Sequence, residues 1–299
     1  MRIEKLHGSP FGAVVHDAPV GPEISDGAVE QIRRAVDEHI VLVFRGHQYP
    51  SDEDLIAFGR RFGYIPRTGL NAGKGAAEMY NEMLLISNMI DDNGAKIGVG
   101  DANFMDWHTD YSFRPKVSQF GFLSAVELPR KGGETAFTNM YAAYESMTPE
   151  LRGRLANLSV RHSLRGGYED HIEDVLQGEV LNGDPARSNP ADGTSTVHPL
   201  LARNPRTGRS AIYVNPLNSK KIIEYENEES TLLLKEMFKL PGREDISYTH
   251  HWQEGDIVLW DQLGTVHARL PFDNTERRKL RKVVTIFDDA QAPWKHAHA

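Results

Sequence analysis

Apolar positions along the chain switch between a helical and a strand-like rhythm, and those switches outline its elements. Val29, Ile32, Val36 and Ile40 recur at helical spacing, so residues 24–39 read as an amphipathic helix with Ser25 or Asp26 capping its start. VLVFRG (41–46) is a short apolar run with β-branched residues, the pattern of a buried strand. Ser51 and Asp54 then give a capping-box signature ahead of LIAFGRRF, predicting a second helix at 52–62. Residues 66–106 are rich in Gly, Asn and Asp around one apolar run, LLISNMI (84–90), which predicts a strand within long loops. VSQFGFLSAV (117–126) predicts another strand, and Thr148-Pro149-Glu150 starts a helix with proline at its first position. Residues 166–194 are polar and turn-rich. Strands are expected at 195–201 and 211–215, separated by a turn at 204–208, and a helix at 226–240. ISYTHHW (246–252), DIVLW (256–260) and KVVTIF (282–287) complete the strand pattern.

This order lacks a regular β-α-β alternation. It predicts a mainly β chain with flanking helices, a barrel or sandwich rather than a parallel sheet. No repeat or linker divides the chain, so residues 1–299 are expected to form one domain. The composition, 39% hydrophobic and 25% charged, is that of a globular protein with a sizeable core. The chain has no cysteine, which excludes disulfides, thiolate metal sites and a cysteine nucleophile. A net charge of -8 argues against nucleic acid and anionic membranes as partners, because both select basic surfaces. No segment approaches the ~18 apolar residues of a membrane helix, and MRIEKLHGSPFG has no apolar signal core. A soluble cytoplasmic protein is the expectation.

Common chemical motifs are missing or broken. GVGDAN (98–103) lacks the third glycine of a dinucleotide fingerprint, and GLNAGKG (69–75) lacks the Ser or Thr that follows lysine in a phosphate loop. Neither G-x-S-x-G nor H-E-x-x-H occurs. Among 13 histidines, His108-Thr109-Asp110 stands out, because alternate strand residues share a face and would offer an imidazole and a carboxylate to one metal ion. His171 and Glu173 form a competing pair. Context favours the first pair. Gly132-Gly133-Glu134-Thr135 follows it, and GDIVLWDQLGTVHARLPF (255–272) carries an apolar strand through a turn to His267. A basic run, Arg277 to Lys282, comes next. Two histidines and one carboxylate make the facial triad of non-haem Fe(II) oxygenases, with three positions open. The basic run and Thr135 offer a cation and a hydroxyl to a cosubstrate carboxylate.

The chain resembles the taurine dioxygenase / 2,4-dichlorophenoxyacetate dioxygenase (TauD/TfdA) family of Fe(II)- and 2-oxoglutarate-dependent oxygenases. The resemblance runs, in order, through 41–65, WHTDYSF (107–113), 123–147, 198–216, 252–270 and ERRKLRKVVTIFDD (276–289), the last closest to the phenoxyacetate branch. It implies a double-stranded β-helix, or jelly roll, with outer helices. It assigns the iron to His108, Asp110 and His267, and the distal carboxylate of 2-oxoglutarate to Thr135 and Arg278. Arg277 and Arg281 are near enough to take over the role of Arg278.

The resemblance also implies coupled chemistry: with dioxygen, 2-oxoglutarate is split to succinate and carbon dioxide while a substrate C–H is oxidised. Two departures bear on the substrate. Lys282 stands where the family has a second arginine, which keeps the charge but loses the bidentate fork. Phe104 stands where a substrate-contacting asparagine is usual, suggesting a more apolar pocket. The expected substrate is a small organic acid with an apolar or aromatic body, such as an aryloxyalkanoate, met by Lys282, Phe104 and Arg281. Tailoring of a natural product by hydroxylation or desaturation is the alternative, and a non-catalytic jelly-roll binding protein or a cupin-like metalloenzyme is the reading from another class. Residues 66–106 and 165–194, with Arg67, Lys74 and Lys96, are candidate lids. A homo-oligomer is compatible with the resemblance.

Overall fold

Periodicity and capping locate the first helices well. In the computed structural model, which describes residues 1–46, 50–66, 82–164, 195–288 and 293, two short strands come first, β1 (Arg2–Lys5) and β2 (Ala13–His16). Helix α1 (Asp26–His39) follows, with the Ser25 hydroxyl accepting from the amide of Ala28, and buries Val29, Ile32 and Val36. β3 (Val41–Phe44) is buried throughout. α2 (Asp52–Arg60) starts at Ser51, whose hydroxyl accepts from the amide of Asp54.

The strands that build the site come next: β4 (Met83–Ser87), β5 (Met105–His108), β6 (Ser118–Glu127) and β7 (Thr135–Asn139). Two short helices, α3 (Met140–Glu145) and α4 (Pro149–Leu155), lead to β8 (Ser159–Ser163). After β9 (Ser195–Pro199), β10 (Leu201–Arg203), β11 (Ser210–Ile212) and β12 (Ser219–Ile222) comes α5 (Asn227–Met237). The chain closes through β13 (Ser247–His250), β14 (Ile257–Asp261), β15 (Thr265–Arg269) and β16 (Lys279–Ile286).

Seven strands form one sheet in the order β1-β2-β3-β14-β6-β16-β4, and four form another in the order β13-β7-β15-β5. Apart from the parallel pair β2–β3, the strands of both sheets pair antiparallel. Val43, Leu123, Trp260 and Leu280 of the large sheet meet Phe137 of the small one in a single apolar cluster, so the two sheets sandwich a core. On its other face the large sheet packs against α1 and α2, with Phe58, Phe62, Phe120 and Phe122 in edge-on contact. The second face of the small sheet is covered by α3, α4 and α5. This is the expected jelly roll with outer helices. No helix among the described residues is long and apolar enough to cross a membrane.

Several boundaries differ from the sequence reading. The run 84–90 is β4 only to Ser87, with Ile90 making an isolated bridge to Lys96. Residues 195–201 break into β9 and β10 at Leu200, whose amide donates to Leu158. The candidate lid 165–194, residues 67–81 of the other, His171, Glu173, Arg67 and Lys74 lie outside the described residues.

Candidate metal centre

His108 ends β5 and His267 lies in the middle of β15, and the two are direct cross-strand partners. That register brings their rings to 4.1 Å between centroids. The pairing shifts between His267 and Arg269, the kind of irregularity that re-aims side chains beside a site. Asp110 is not in the strand, as the H-x-D pattern had suggested. It follows the end of β5, and Tyr111 turns the chain at φ 55°. The carboxylate still reaches both rings: Oδ1 is 3.7 Å from His108 Nε2 and Oδ2 is 3.8 Å from His267 Nε2. One donor atom from each of the three buried side chains falls within 4.8 Å of the others.

The protonation states suit a cation. Burial lowers the pKa of His108 and, more strongly, that of His267, so both rings are neutral near pH 7. His108 Nδ1 lies 2.8 Å from the carbonyl oxygen of Asp106, so it carries the proton and leaves Nε2 bare. Burial alone would raise the pKa of Asp110, but Lys282 and the two imidazoles hold it below the ordinary value. Metal ligands must be deprotonated, and these three are. The Lys282 ammonium donates to Asp110 Oδ1, so this spot already receives positive charge. The donor set fits a divalent metal with open positions.

Beside the triad the cavity has a polar corner. Arg278, just ahead of β16, lines the same cavity and is 3% exposed. Its Nε and Nη2 donate to the carbonyl of Gly133 at 3.2 and 2.9 Å. The Gly-Gly of the sequence motif is explained here: Gly133 has φ 73°, and a Cβ would lie 2.9 Å from Arg278 Nε. Among the described residues no carboxylate forms an ion pair with Arg278. Thr135 opens β7 and lines the cavity, and its hydroxyl oxygen accepts from Trp252 Nε1 at 3.1 Å. The indole can only donate, so the Thr135 proton is left to donate elsewhere. A guanidinium and a hydroxyl donor together suit a carboxylate.

The other residues expected at the site are distributed differently. Arg277 is on the surface with Glu127. Arg281 points away from the cavity, because neighbours along β16 face opposite ways; its guanidinium donates to Pro50 O, Asp52 and Ser124. Phe104 is 48% exposed and does not line the cavity, where its neighbour Met105 does. It precedes β5, outside the two-sided packing that buries a strand. Lys282 does line the cavity, with its charge on Asp110. Sequence reasoning missed Gln262, Trp252, Arg269 and Asn218. Gln262 and Trp252 lie inside the motif stretch 252–270, but their contacts across the fold leave no local signal. Arg269 and Asn218 line the cavity with a wall of Leu84, Ile86, Val99, Phe113, Leu123 and Leu217.

Comparison with known proteins agrees with this geometry. Residues 2–284 match the family model described as taurine catabolism dioxygenase TauD, TfdA family. Pentalenolactone F synthase of Streptomyces avermitilis is 58% identical over 298 residues, covering 98% of this chain and 97% of that protein. The alpha-ketoglutarate-dependent 2,4-dichlorophenoxyacetate dioxygenase of Cupriavidus pinatubonensis is 30% identical, covering 94% and 96%. The crystal structure of AAD-2 with Mn(II) and N-oxalylglycine superposes with a TM-score of 0.76 at 23% identity, covering 96% of this chain and 99% of that one. The chain therefore belongs to the TauD/TfdA family and is an Fe(II)- and 2-oxoglutarate-dependent dioxygenase.

Proposed function

We propose that the chain is a natural-product tailoring oxygenase that oxidises an aliphatic C–H of a small, largely apolar lactone or organic acid. The 58% identity with pentalenolactone F synthase across nearly the full length of both chains carries this reading. When bound, Fe(II) and 2-oxoglutarate supply dioxygen activation, with succinate and carbon dioxide as co-products. The residues of this chain position and shield that chemistry.

In this reading His108, Asp110 and His267 hold the metal through a bare imidazole nitrogen each and a carboxylate. Arg278 and Thr135 anchor the distal carboxylate of 2-oxoglutarate, the guanidinium by charge and the hydroxyl through its free proton. Leu84, Ile86, Val99, Phe113 and Leu217 exclude water and select an apolar body. Asn218 interrupts that wall with an amide. Its Nδ2 donates to the carbonyl of Ser163, which keeps it in place. It is suited to a carbonyl oxygen of the substrate. Lys282 is the cation that a substrate carboxylate would meet, in competition with Asp110.

The deciding experiment is succinate release from 2-oxoglutarate with aerobic Fe(II) and three candidate substrates. These are the substrate from which the Streptomyces synthase makes pentalenolactone F, 2,4-dichlorophenoxyacetate and taurine. The expected result is stimulation by the first. Stimulation by the aryloxy acid or taurine alone would replace this substrate class, and no stimulation by the first would end the proposal.

A further inference from the structure

Asp110 is the candidate ligand that no regular element holds. It lies past the last residue of β5, and the next residue turns the chain in the left-handed region. A carboxylate there has two rotatable bonds, so something else must fix its direction. Its main-chain carbonyl accepts from Ser118 Oγ at 2.8 Å, which anchors the backbone but not the side chain.

Gln262 supplies a two-point contact. Its Nε2 donates to Asp110 Oδ2 at 2.6 Å, and its Oε1 accepts from the main-chain amide of Asp110 at 3.3 Å. An amide N–H can only donate and an ionised carboxylate can only accept, so this pair of partners fixes the orientation of the glutamine amide. Gln262 is itself immobile. It is fully buried, and its main-chain amide donates to Gln119 O at 3.0 Å. The turn that carries it is tied by Asp261 Oδ1, which accepts from the amides of Leu263 and Gly264. Space for the amide comes from Gly121 on β6, where a Cβ would lie 2.6 Å from Gln262 Nε2. Gln262 does not line the cavity, so it does not touch substrate.

We propose that Gln262 is a positioning residue for the metal centre: its amide fixes the rotation of the Asp110 carboxylate and thereby sets how tightly the three side chains take a divalent metal. The same β14–β15 turn then carries both this clamp and, five residues later, His267. The inference rests on the reading of Asp110 as a ligand. Hydrogen-bond partners of metal ligands are worth about 10–100-fold in affinity when lost.

The test is an anaerobic Mn(II) titration of the full-length apoprotein, read by the EPR signal of free Mn(II). Gln262→Met keeps the length and removes both hydrogen bonds, while Gln262→Asn keeps an amide but is too short to reach both groups. We expect Met to weaken Mn(II) binding about 10–100-fold and Asn about tenfold. The absorption band formed by Fe(II) with 2-oxoglutarate is expected to move in both, which a purely structural role would not cause. Circular dichroism and melting establish which variants fold, and if Met does not, Asn decides. A folded variant that binds Mn(II) within twofold of the parent, with an unmoved band, overturns the proposal. Asp110→Ala separates the two levels: if it keeps the parent affinity, the ligand assignment fails, and Gln262 fails with it.

Discussion

Arg278 carries its charge into the interior without an ion pair to any described carboxylate, Glu134 acting on it only at longer range. Burial, helped by nearby Arg269, pushes its pKa down to about 9, so the guanidinium stays protonated near neutral pH at a desolvation cost. The Gly133 carbonyl offsets part of that cost through Nε and Nη2. An arriving dicarboxylate completes the pairing, which makes Arg278 a binding residue for the cosubstrate. Removing a hydrogen bond to a charged group costs about 1.5–3 kcal/mol, or roughly 10–150-fold. Arg278→Gln is therefore expected to raise the KM for 2-oxoglutarate by that range. Thr135→Val, losing one hydrogen bond to the same carboxylate, is expected to raise it about tenfold, the lower end of that range. Succinate release at varied 2-oxoglutarate measures both. Equal KM values in all three proteins would place the cosubstrate elsewhere.

At the scale of elements, β16 shows what the sequence discloses and what it hides. As a string, Arg277 to Lys282 is one basic patch, but the strand's alternation sends Leu280, Lys282 and Val284 to the face that carries the cavity and Arg281, Val283 and Thr285 to the face packed under the helices. Arg281→Met is accordingly expected to lower the melting temperature, through loss of its Pro50, Asp52 and Ser124 contacts, while leaving the KM for 2-oxoglutarate unchanged. A raised KM would restore Arg281 to the cosubstrate site. The alternation was available in advance, and so were the caps of α1 and α2, because both signals are local. The pairing of His108 with distant His267 was legible only through a resemblance, since no local rule joins positions so far apart. Gly121 was illegible altogether: it looks like a weak point in a good strand. Its cross-strand partner is Trp260, and a Cβ would lie 2.2 Å from that indole. Gly121→Ala is expected to cost about 1–3 kcal/mol by overpacking, read as a lowered denaturation midpoint. By displacing Gln262 it is also expected to weaken Mn(II) binding.

Across the whole molecule, His108, His162, His198, His250 and His267 are buried, and burial is the first cause lowering each pKa; that of His198 falls to about 4. The unfolded chain binds protons on these rings near pH 6.5, whereas the folded one does so only at lower pH. Their contribution is thus fully present above about pH 6.5 and is lost as pH falls toward the folded values. Each ring that titrates only in the unfolded chain adds a slope of about 1.4 kcal/mol per pH unit. Asp256, buried, ion-paired with Arg45 and 3.2 Å from the His250 ring, has a lowered pKa, so its share is also lost in acid. Denaturant unfolding of the apoprotein is therefore expected to show stability falling steeply between pH 7 and 5. A flat profile would mean that the imidazoles are protonated in place. Saturating Mn(II) is expected to raise stability at pH 7 through His108 and His267, the imidazoles of the triad. That benefit is lost only as pH falls through the lowered folded values of these two rings, not at the ordinary histidine value. The acid decline due to the buried rings therefore persists in the metal-loaded protein. A metal benefit that fell away already at about pH 6.5 would show that the triad imidazoles take up protons in the folded chain.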